Sequence, residues 1–307
     1  MCPDVINLCS EGALVRGFEP RISVIVPTYN EARNLPHVFG RLPDNLHEVI
    51  VVDGHSLDGT AEVARALRPD VRVVHQNRCG KGNALACGFD RATGDIIVML
   101  DADGSADPRE IPRYIAALVA GADFAKGTRF AHGGGSDDIT PTRAWGNRWL
   151  NRAVNVLYGT RYTDLCYGYN AFWTHCLPAL ELDATNRGCT NRLWGDGFEI
   201  ETIINTRVAK AGLTIAEVPS YEARRLYGQS NLNTWRDGIR VLRALILERL
   251  NSRGAGHVAV RPLTEGLGTS FSEATPRRRH PRRRLIRARK GPTYAVQSQS
   301  AQSVPRR

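Results

Sequence analysis

The sequence has no long apolar run and few aromatic residues. Phe, Trp and Tyr together make up 7% of the 307 residues. Apolar runs such as 96–100 are far shorter than the roughly 20 residues that a membrane-spanning helix needs. Acidic residues occur early, at Asp4 and Glu11, and no basic stretch followed by an apolar one precedes them. We therefore expect neither a transmembrane segment nor a secretory signal, and a cytoplasmic location.

Paired cysteines are also absent. The chain has seven cysteines, an odd number, and none of them forms a Cys-x-x-Cys pair. This pattern argues against a disulfide framework and against a zinc site. Free, buried thiols are the expected state, because unpaired cysteine is among the most frequently buried residue types.

The positive charge is confined to the C-terminal end. The chain has a net charge of +10, but residues 255–307 hold 12 Lys or Arg against 2 Asp or Glu, which leaves the first 254 residues neutral. The run 277–290 and the Ser- and Gln-rich end after it predict a disordered basic tail over 254–307. Nucleic-acid binding is not expected; attraction of the tail to anionic lipid headgroups would place the protein peripherally at the inner face of the cell membrane.

Four β-branched runs predict the strands of an α/β fold. The apolar fraction of 42% suits a packed core. The predicted strands cover 22–26, 48–53, 71–75 and 95–100. Helical patterns lie between them, so we expect a mostly parallel central sheet with helices on both faces. An irregular segment, 1–20, would precede one domain over 21–253.

Three helices carry recognisable sequence signals. Asp107 and Pro108 are typical of a helix start, and Gly121 follows the last apolar position of that helix. A second helix is predicted over 145–157. A third, over 233–250, has an apolar stripe that is expected to pack on the domain, with a membrane surface as the alternative; its members are Ile239, Leu242, Ile246 and Leu250.

Two carboxylates follow the fourth predicted strand directly. Asp101 and Asp103 are two residues apart, at the strand end where ligands bind in sheets of this type. Such a pair can hold Mg²⁺ or Mn²⁺ while the other coordination positions go to water and to the oxygens of a diphosphate. Taken alone, the Asp-x-Asp pattern is also common in turns and helix caps.

The order of further motifs resembles family 2 glycosyltransferases of the A-type fold, known as GT-A. These motifs are VIVPTYNE (24–31), VVDG (51–54), GKGNAL (80–85) and GTR (127–129). The resemblance runs from about residue 21 to 248 and implies a nucleotide-diphospho-sugar transferase-like fold with a metal at Asp101 and Asp103. It also implies a nucleotide sugar donor site in which Lys81 meets the diphosphate and the nucleoside pocket is lined by Pro27, Tyr29, Glu31 and Asp53.

Two later segments resemble one group within that family. TDLCYGYNAF (163–172) and RLYGQSNL (225–232) are similar to segments of polyprenyl-phosphate and dolichyl-phosphate mannose or glucose synthases. Guanidinium groups bind phosphate oxygens in pairs, which suits a site where a lipid phosphate meets a nucleotide diphosphate. By this resemblance the acceptor phosphate would be bound by Arg129, Arg143, Arg225 and Ser230.

The acceptor decides whether a general base is needed. A phosphate monoester has a second pKa of about 6 and is largely dianionic at neutral pH, so it needs no base. A sugar hydroxyl would need a carboxylate, and the segment 195–202 offers Asp196, Glu199 and Glu201. Glu199 and Glu201 cannot both face the site from one helix, and a helix cap is the alternative role for Asp196.

Together with this resemblance, the sequence predicts a metal-dependent, inverting hexosyltransferase. Its donor would be of the GDP-mannose or UDP-glucose type and its acceptor a polyprenyl phosphate. Alternatives are transfer of one sugar to a hydroxyl of a saccharide or small molecule, and a non-catalytic module that binds nucleotide sugars. Two departures matter: Ser105 stands where the mannose synthases place Gln, which weakens a third metal contact, and the Gln-x-x-Arg-Trp motif of processive synthases is absent.

Overall fold

The computed structural model describes residues 19–185, 193–228, 234–250 and 260–262. Its strands are β1 (Ile22–Thr28), β2 (Glu48–Asp53), β3 (Arg72–His75), β4 (Ile96–Met99), β5 (Phe124–Thr128), β6 (Gly135–Ser136), β7 (Asn170–Trp173), β8 (Ile215–Pro219), β9 (Tyr221–Glu222) and β10 (Val260–Pro262). Its α-helices are α1 (Leu35–Phe39), α2 (Thr60–Leu67), α3 (Lys81–Arg91), α4 (Ile111–Val119), α5 (Pro141–Tyr158), α6 (Leu177–Leu180), α7 (Ile200–Lys210) and α8 (Thr234–Leu250).

The strands form one large sheet and one small one. The large sheet has the order β10-β8-β5-β7-β4-β1-β2-β3, and β6 pairs with β9 in the small sheet. Within the large sheet, β7 is antiparallel to β4 and β5, and all other pairs are parallel. The predicted mostly parallel sheet is therefore confirmed, with β7 as the antiparallel strand.

Strand bounds agree closely with the apolar runs. The predicted strand 48–53 coincides with β2, and the strand from Ile22 continues two residues past Val26. The helix predicted after Asp107 begins differently: the Asp107 carboxylate accepts a hydrogen bond from the backbone N–H of Arg109 and opens a short 3₁₀ turn, which then leads into α4.

The sheet separates two apolar cores. Alternate residues of each strand point to opposite faces, so Val24 and Val26 of β1 pack with α1, α2 and α4, whereas Ile25 packs with α3, α7 and α8. Both faces are covered, which explains why the central strands are continuous apolar runs rather than alternating ones.

The apolar stripe of α8 does not pack on the domain. Ile239, Leu242, Ile246 and Leu250 are 67%, 46%, 48% and 75% exposed. The buried face of α8 is instead formed by its neighbours Val241, Ala244 and Leu245, so the expectation that this stripe is part of the core is wrong. In the described ranges, no helix combines the length and the apolar content needed to cross a bilayer.

Part of the segment predicted as tail belongs to the sheet. β10 pairs in parallel with β8, with Val260 opposite Ile215. The remainder of 254–307, apart from these three residues, lies outside the described residues, as does the predicted lead-in up to residue 18.

The described cysteines are free thiols of differing exposure. Cys87 and Cys176 are buried, as expected, but Cys79 is exposed and Cys166 is partly exposed. Burial raises the pKa of the Cys176 thiol to about 12, so this side chain stays protonated and unreactive.

Candidate active site

A cleft of about 1100 Å³ lies where β1 and β4 end. The sheet order reverses at this point, because β1 continues to β2 on one side and to β4 on the other. Open α/β sheets bind ligands in the crevice at such a reversal. The cleft is bordered by the segments after β1 and β4, by the start of α3, and by α5, α7 and α8.

Most of the predicted site residues meet in this cleft. Those on its wall are Pro27, Tyr29, Glu31, Lys81, Asp101, Asp103, Arg129, Arg143 and Arg225. Asp53, Asp196 and Glu199 are not on the wall. Ser230 lies outside the described residues.

Lys81 joins two carboxylates inside the cleft. Its Nζ lies 2.7 Å from Oδ1 of Asp101 and 2.7 Å from Oε1 of Glu201. Burial opposes the charge on Lys81, but the two carboxylates outweigh burial and raise its pKa above the ordinary value. Burial also raises the pKa of Glu201, and Lys81 counteracts that rise. At neutral pH the lysine is charged and is held against Asp101.

Glycines bring the lysine loop into contact with a second loop. Gly80 has φ +123°, and a Cβ on it would lie 2.0 Å from the carbonyl oxygen of Asp196. A Cβ on Gly82 would lie 1.7 Å from the carbonyl oxygen of Gly195. The backbone N–H of Gly82 donates to the Asp196 carbonyl at 3.0 Å. Only glycine permits this approach, which fixes the direction in which Lys81 leaves the backbone.

Gly168 forms the wall behind the charged cluster. A Cβ at this position would lie 3.0 Å from Nζ of Lys81, 3.2 Å from Oε1 of Glu201 and 3.4 Å from Oδ2 of Asp101. The glycine of the 163–172 segment therefore leaves room for the ion pairs of Lys81.

Arg225 binds the second carboxylate of the acid pair. Its Nη2 lies 3.0 Å from Oδ2 of Asp103, and its Nη1 donates to Oε1 of Glu31 at 2.9 Å. The other oxygen of Asp103 accepts from the hydroxyl and the backbone N–H of Ser105, at 2.7 and 3.0 Å. Burial opposes the charge of Arg225, but Asp103 and Glu31 raise its pKa. In this structure, Ser105 thus orients Asp103.

The loop that carries Arg225 is fastened to the start of α1. The Asn34 side chain accepts from the backbone N–H of Tyr227 at 3.0 Å and donates to its carbonyl oxygen at 3.1 Å. The guanidinium of Arg33 stacks 4.2 Å from the centre of the Tyr227 ring. Residues that are far apart in sequence therefore close one side of the cleft.

Arg129 and Arg143 differ in their surroundings. Arg129 is buried, and all three of its guanidinium nitrogens donate to the carboxylates of Asp164 and Glu222, at 2.7 to 2.9 Å. Burial opposes ionisation of Asp164, but Arg129 outweighs it and holds the pKa of Asp164 below its usual range. Arg143 is 27% exposed and pairs with Asp138 at 3.1 Å.

Of the three candidate bases, only Glu201 faces the cleft. The carboxylate of Asp196 forms a two-point ion pair with Arg78, at 2.9 Å for each contact, and both side chains are buried. Glu199 precedes the first residue of α7, and its side chain accepts from the backbone N–H of Gly197. The expectation that Glu199 and Glu201 point to different sides is met, and Asp196 holds an arginine rather than capping α7.

Asp53 is buried at the end of β2, next to the cleft. Its Oδ2 accepts from the backbone N–H of Ser56 at 3.1 Å and lies 3.4 Å from Nδ1 of His75. Its Oδ1 is buried and has no hydrogen-bond partner in the described part of the chain. A buried carboxylate oxygen without a donor favours a bound group that supplies one.

Four charged partners of the predicted site residues are not among those that the sequence indicates as the site. The sequence offers Glu201 only as a base, whereas in the structure it binds Lys81. Asp164 lies in the segment 163–172, so this motif is a signal from which a role for Asp164 near the site could be predicted. Arg78 and Glu222 are charged residues without a distinctive spacing, and only the fold brings them to their partners.

Asp101 and Asp103 are the residues that fit a divalent cation. The described residues contain no cluster of three or more His, Cys, Asp or Glu side chains arranged to hold a metal. Mg²⁺ is commonly bound by one or two carboxylates together with substrate phosphates and water. The hard oxygens of the acid pair, facing a large cleft, have the chemistry that such binding requires.

Comparison with known sequences identifies the family. The profile described as Glycosyl transferase family 2 matches residues 23–176. The chain is 35% identical over 226 residues to the undecaprenyl-phosphate mannosyltransferase of Micrococcus luteus, a match that covers 69% of this chain and 88% of that protein. It is 33% identical over 223 residues to the polyprenol monophosphomannose synthase of Mycolicibacterium smegmatis, covering 69% and 81%.

Comparison with solved structures identifies the fold. Glucosyl-3-phosphoglycerate synthase from Mycobacterium tuberculosis, solved with Mn²⁺, UDP-glucose and phosphoglyceric acid, matches with a TM-score of 0.59 and 22% identity, over 76% of this chain and 81% of that one. The predicted GT-A architecture is confirmed by this likeness. The sequence motifs, the cleft and these matches agree: the chain belongs to glycosyl transferase family 2 and is a glycosyltransferase with a GT-A-like fold.

Proposed function

We propose that this glycosyltransferase transfers one hexose, with inversion, from a nucleotide diphosphate sugar to a polyprenyl phosphate, and that Asp101 and Asp103 hold a divalent cation on the donor diphosphate. The observation that carries the proposal is the pairing of these two carboxylates with Lys81 and Arg225 in one cleft. Glu201 and Glu31 bind the same two cations, so four carboxylates meet two positive groups there.

Binding of the donor and its cation would replace some of the ion pairs within this cluster. A cation at the acid pair would compete with Lys81 and Arg225 for carboxylate oxygens. The donor diphosphate would then offer Lys81 a new anionic partner, and the acceptor phosphate would offer one to Arg225. Asp53 is buried next to the cleft wall, and its unpaired Oδ1 would accept a hydrogen bond from the nucleoside once the donor displaces the groups that cover this atom. Solved structural neighbours contain UDP with Mn²⁺ or with Mg²⁺, which supports the same donor class and either metal here.

The acceptor proposal draws on the relatives and on the arginines. The names of the two relatives give undecaprenyl phosphate and polyprenol as the lipids concerned. Arg143 and Arg225 line the cleft and have exposed surface for a second phosphate group. Arg129 lines the cleft, but its guanidinium is bound by Asp164 and Glu222, so it would shape the wall, and direct contact with the phosphate stays a prediction.

The chain's own work would be positioning and charge stabilisation. A bound cation would neutralise the departing diphosphate. Lys81, held by Glu201 in the absence of donor, would bind a diphosphate oxygen as negative charge develops there. Arg143 and Arg225 would hold the acceptor phosphate on the opposite side of the anomeric carbon, so that direct attack inverts the configuration. The dianionic phosphate needs no proton removed.

Transfer to a hydroxyl is the second candidate, and Glu201 is the observation in its favour. Burial raises the pKa of this cleft carboxylate, as general bases often require. Its ion pair with Lys81 through Oε1 is the opposing fact, because a charged lysine at this carboxylate makes it a weaker base. Glu201→Gln distinguishes the two: a phosphate acceptor predicts residual transfer with an unchanged pH profile, and a hydroxyl acceptor predicts its loss.

The domain limits and the cellular location are part of the proposal. The catalytic domain would comprise 21–253, with β10 added to its sheet from the following segment. The protein would be cytoplasmic and would work at the inner face of the membrane, where it can meet a lipid acceptor.

The decisive experiment combines metal, donor and acceptor. Purified protein is incubated with radiolabelled GDP-mannose or UDP-glucose, with Mn²⁺ or with EDTA, and with polyprenyl phosphate, and label that extracts into organic solvent is counted. We expect organic-phase product only with the metal. Asp101→Ala combined with Asp103→Ala should remove both metal-assisted donor binding and product.

The matched control is Asp90→Asn, which changes an exposed carboxylate paired with Arg91 on α3. It should leave product formation unchanged. The proposal fails if the double alanine variant keeps metal-assisted donor affinity and transfer. Water-soluble product from a hydroxyl acceptor, with none in the organic phase, would support the second candidate instead.

A further inference from the structure

The outer face of α5 exposes large apolar side chains. Trp145, Trp149 and Val156 are 62%, 53% and 84% exposed. The two indole rings lie 6.0 Å apart, edge to face, and Arg152 lies 5.7 Å from the Trp149 ring. Monomeric soluble proteins rarely expose apolar groups in clusters without a partner.

The neighbouring helix α8 has a face of the same kind. Over residues 238–250, whose side chains the structure describes, its large exposed apolar residues are the four of the stripe described above. The two helices contact each other: the Tyr158 hydroxyl at the end of α5 donates to the carbonyl oxygen of Leu245 at 2.8 Å, and Arg249 stacks over the Tyr158 ring. Two adjoining helices thus present apolar faces to solvent.

The charges on these two faces have one sign. Arg148 and Arg152 on α5, and Arg243 and Arg249 on α8, are exposed. Residues 141–158 contain no acid, and the one acid in 238–250 is Glu248, which is buried against Arg207 and Lys210. Among the described side chains of the two helices, no exposed carboxylate offsets these arginines.

We infer that the exposed faces of α5 and α8 form a docking surface for an anionic lipid bilayer. Indole rings favour the boundary between water and acyl chains, and basic side chains are attracted to anionic headgroups. A symmetric second copy would bring arginines against arginines, and the C-terminal segment 277–290 is strongly basic, so like charge disfavours both as occupants.

The surface adjoins the catalytic cleft. Arg143 and Asn147, on the inner side of α5, line the cleft, as do Gly238 and Val241 of α8. The same helices that would touch the bilayer therefore border the cavity that takes the acceptor. This step rests on the proposed function, but the docking surface itself can be tested without donor, metal or acceptor.

The test is co-sedimentation of the full-length chain with vesicles in EDTA. Vesicles of phosphatidylcholine alone are compared with vesicles containing about one quarter phosphatidylglycerol. We expect binding to the anionic vesicles that weakens as salt is added. Three double variants should each weaken it by about tenfold or more: Trp145→Ser with Trp149→Ser, Ile239→Asn with Ile246→Asn, and Arg148→Glu with Arg152→Glu.

Matched controls change exposed residues elsewhere. Leu57→Asn with Leu67→Asn removes two exposed leucines, and Arg41→Glu with Arg65→Glu reverses two exposed arginines. Both should keep wild-type vesicle binding. Because all the substituted side chains are exposed, melting temperatures should stay close to that of the wild type, which shows that the variants fold.

The outcomes separate the docking surface from the proposed function. The inference is overturned if the wild type does not bind anionic vesicles, or if the three face variants bind like the wild type, since the basic tail alone then suffices. It is also overturned if light scattering shows a dimer that the face variants dissociate. Vesicle binding lost in the face variants, with transfer to a detergent-solubilised acceptor intact, supports it. Vesicle binding without any sugar transfer contradicts only the proposed function.

Discussion

Replacing Asp196 by Asn tests whether this residue acts in catalysis or in stability. The carboxylate and the guanidinium of Arg78 are 4% and 2% exposed, and they meet through two contacts of 2.9 Å. The variant removes the negative charge and leaves the buried arginine without its ionic partner. We expect a folded protein of clearly lower stability.

The size of the loss follows from the remaining contacts. Breaking one partner of a buried ion pair costs about 3–5 kcal/mol. Arg78 also donates to the carbonyl oxygens of Asp183 and Thr185, at 2.7 and 2.6 Å, so part of its charge stays solvated. We therefore expect about 3 kcal/mol, the lower end of that range. For a domain of this size that lowers the melting temperature by roughly 6 °C or more.

The assay is thermal unfolding followed by circular dichroism, with transfer measured well below the transition. A matched control is Asp107→Asn, which breaks the exposed pair with Arg109 and should cost less than about 1 kcal/mol. The double variant Arg78→Met with Asp196→Leu should recover most of the lost stability, because apolar groups of similar volume can replace a buried pair.

The reasoning is refuted if Asp196→Asn melts like the wild type but has lost transfer with donor binding intact. That result would make Asp196 the general base and would favour a hydroxyl acceptor.

Three further predictions concern the cleft and the core. Gly168→Ala should lower transfer about tenfold with little change in melting temperature, because its Cβ would crowd Lys81 at 3.0 Å; normal transfer would show that the lysine is free to move. Arg143→Gln should raise the KM for polyprenyl phosphate and leave donor affinity unchanged, measured by acceptor titration; an effect on the donor alone would contradict its placement at the acceptor. Burial opposes ionisation of Glu48, but hydrogen bonds, first among them one from Ser23, lower its pKa to about 2. Glu48→Gln should therefore lower the melting temperature by roughly 5 °C above pH 4.5, and this difference from the wild type should shrink as the pH falls towards 2. A difference that does not depend on pH would show that the ionised carboxylate of Glu48 is not its cause.

The sequence was a good guide to the sheet and to the strand-end acids. Continuous β-branched runs form strands that are buried on both faces, so β2 was predicted to the residue. Asp101 and Asp103 follow β4 directly, and the carboxyl ends of parallel strands share one edge. Their position at the cleft therefore follows from local sequence alone.

Sequence was a poorer guide to the partners of charged residues. Asp196 and Arg78 are 118 positions apart and Arg129 and Glu222 are 93 apart. No local pattern links such residues, so the sequence predicts a base at Asp196 and a phosphate ligand at Arg129 without indicating their ionic partners. The tertiary contacts assign both to buried ion pairs.

The chain itself determined its strands, its glycine loops and the position of its acid pair, because these depend on backbone geometry and on neighbouring residues. Only the tertiary structure decided which face of α8 is buried. Val241, Ala244 and Leu245 make an apolar stripe as plausible as Ile239, Leu242 and Ile246, and a helix with apolar residues on two sides does not specify its own rotation. Packing against α5 and α7 buries the stripe of Val241, Ala244 and Leu245 and leaves the bulkier stripe exposed to solvent.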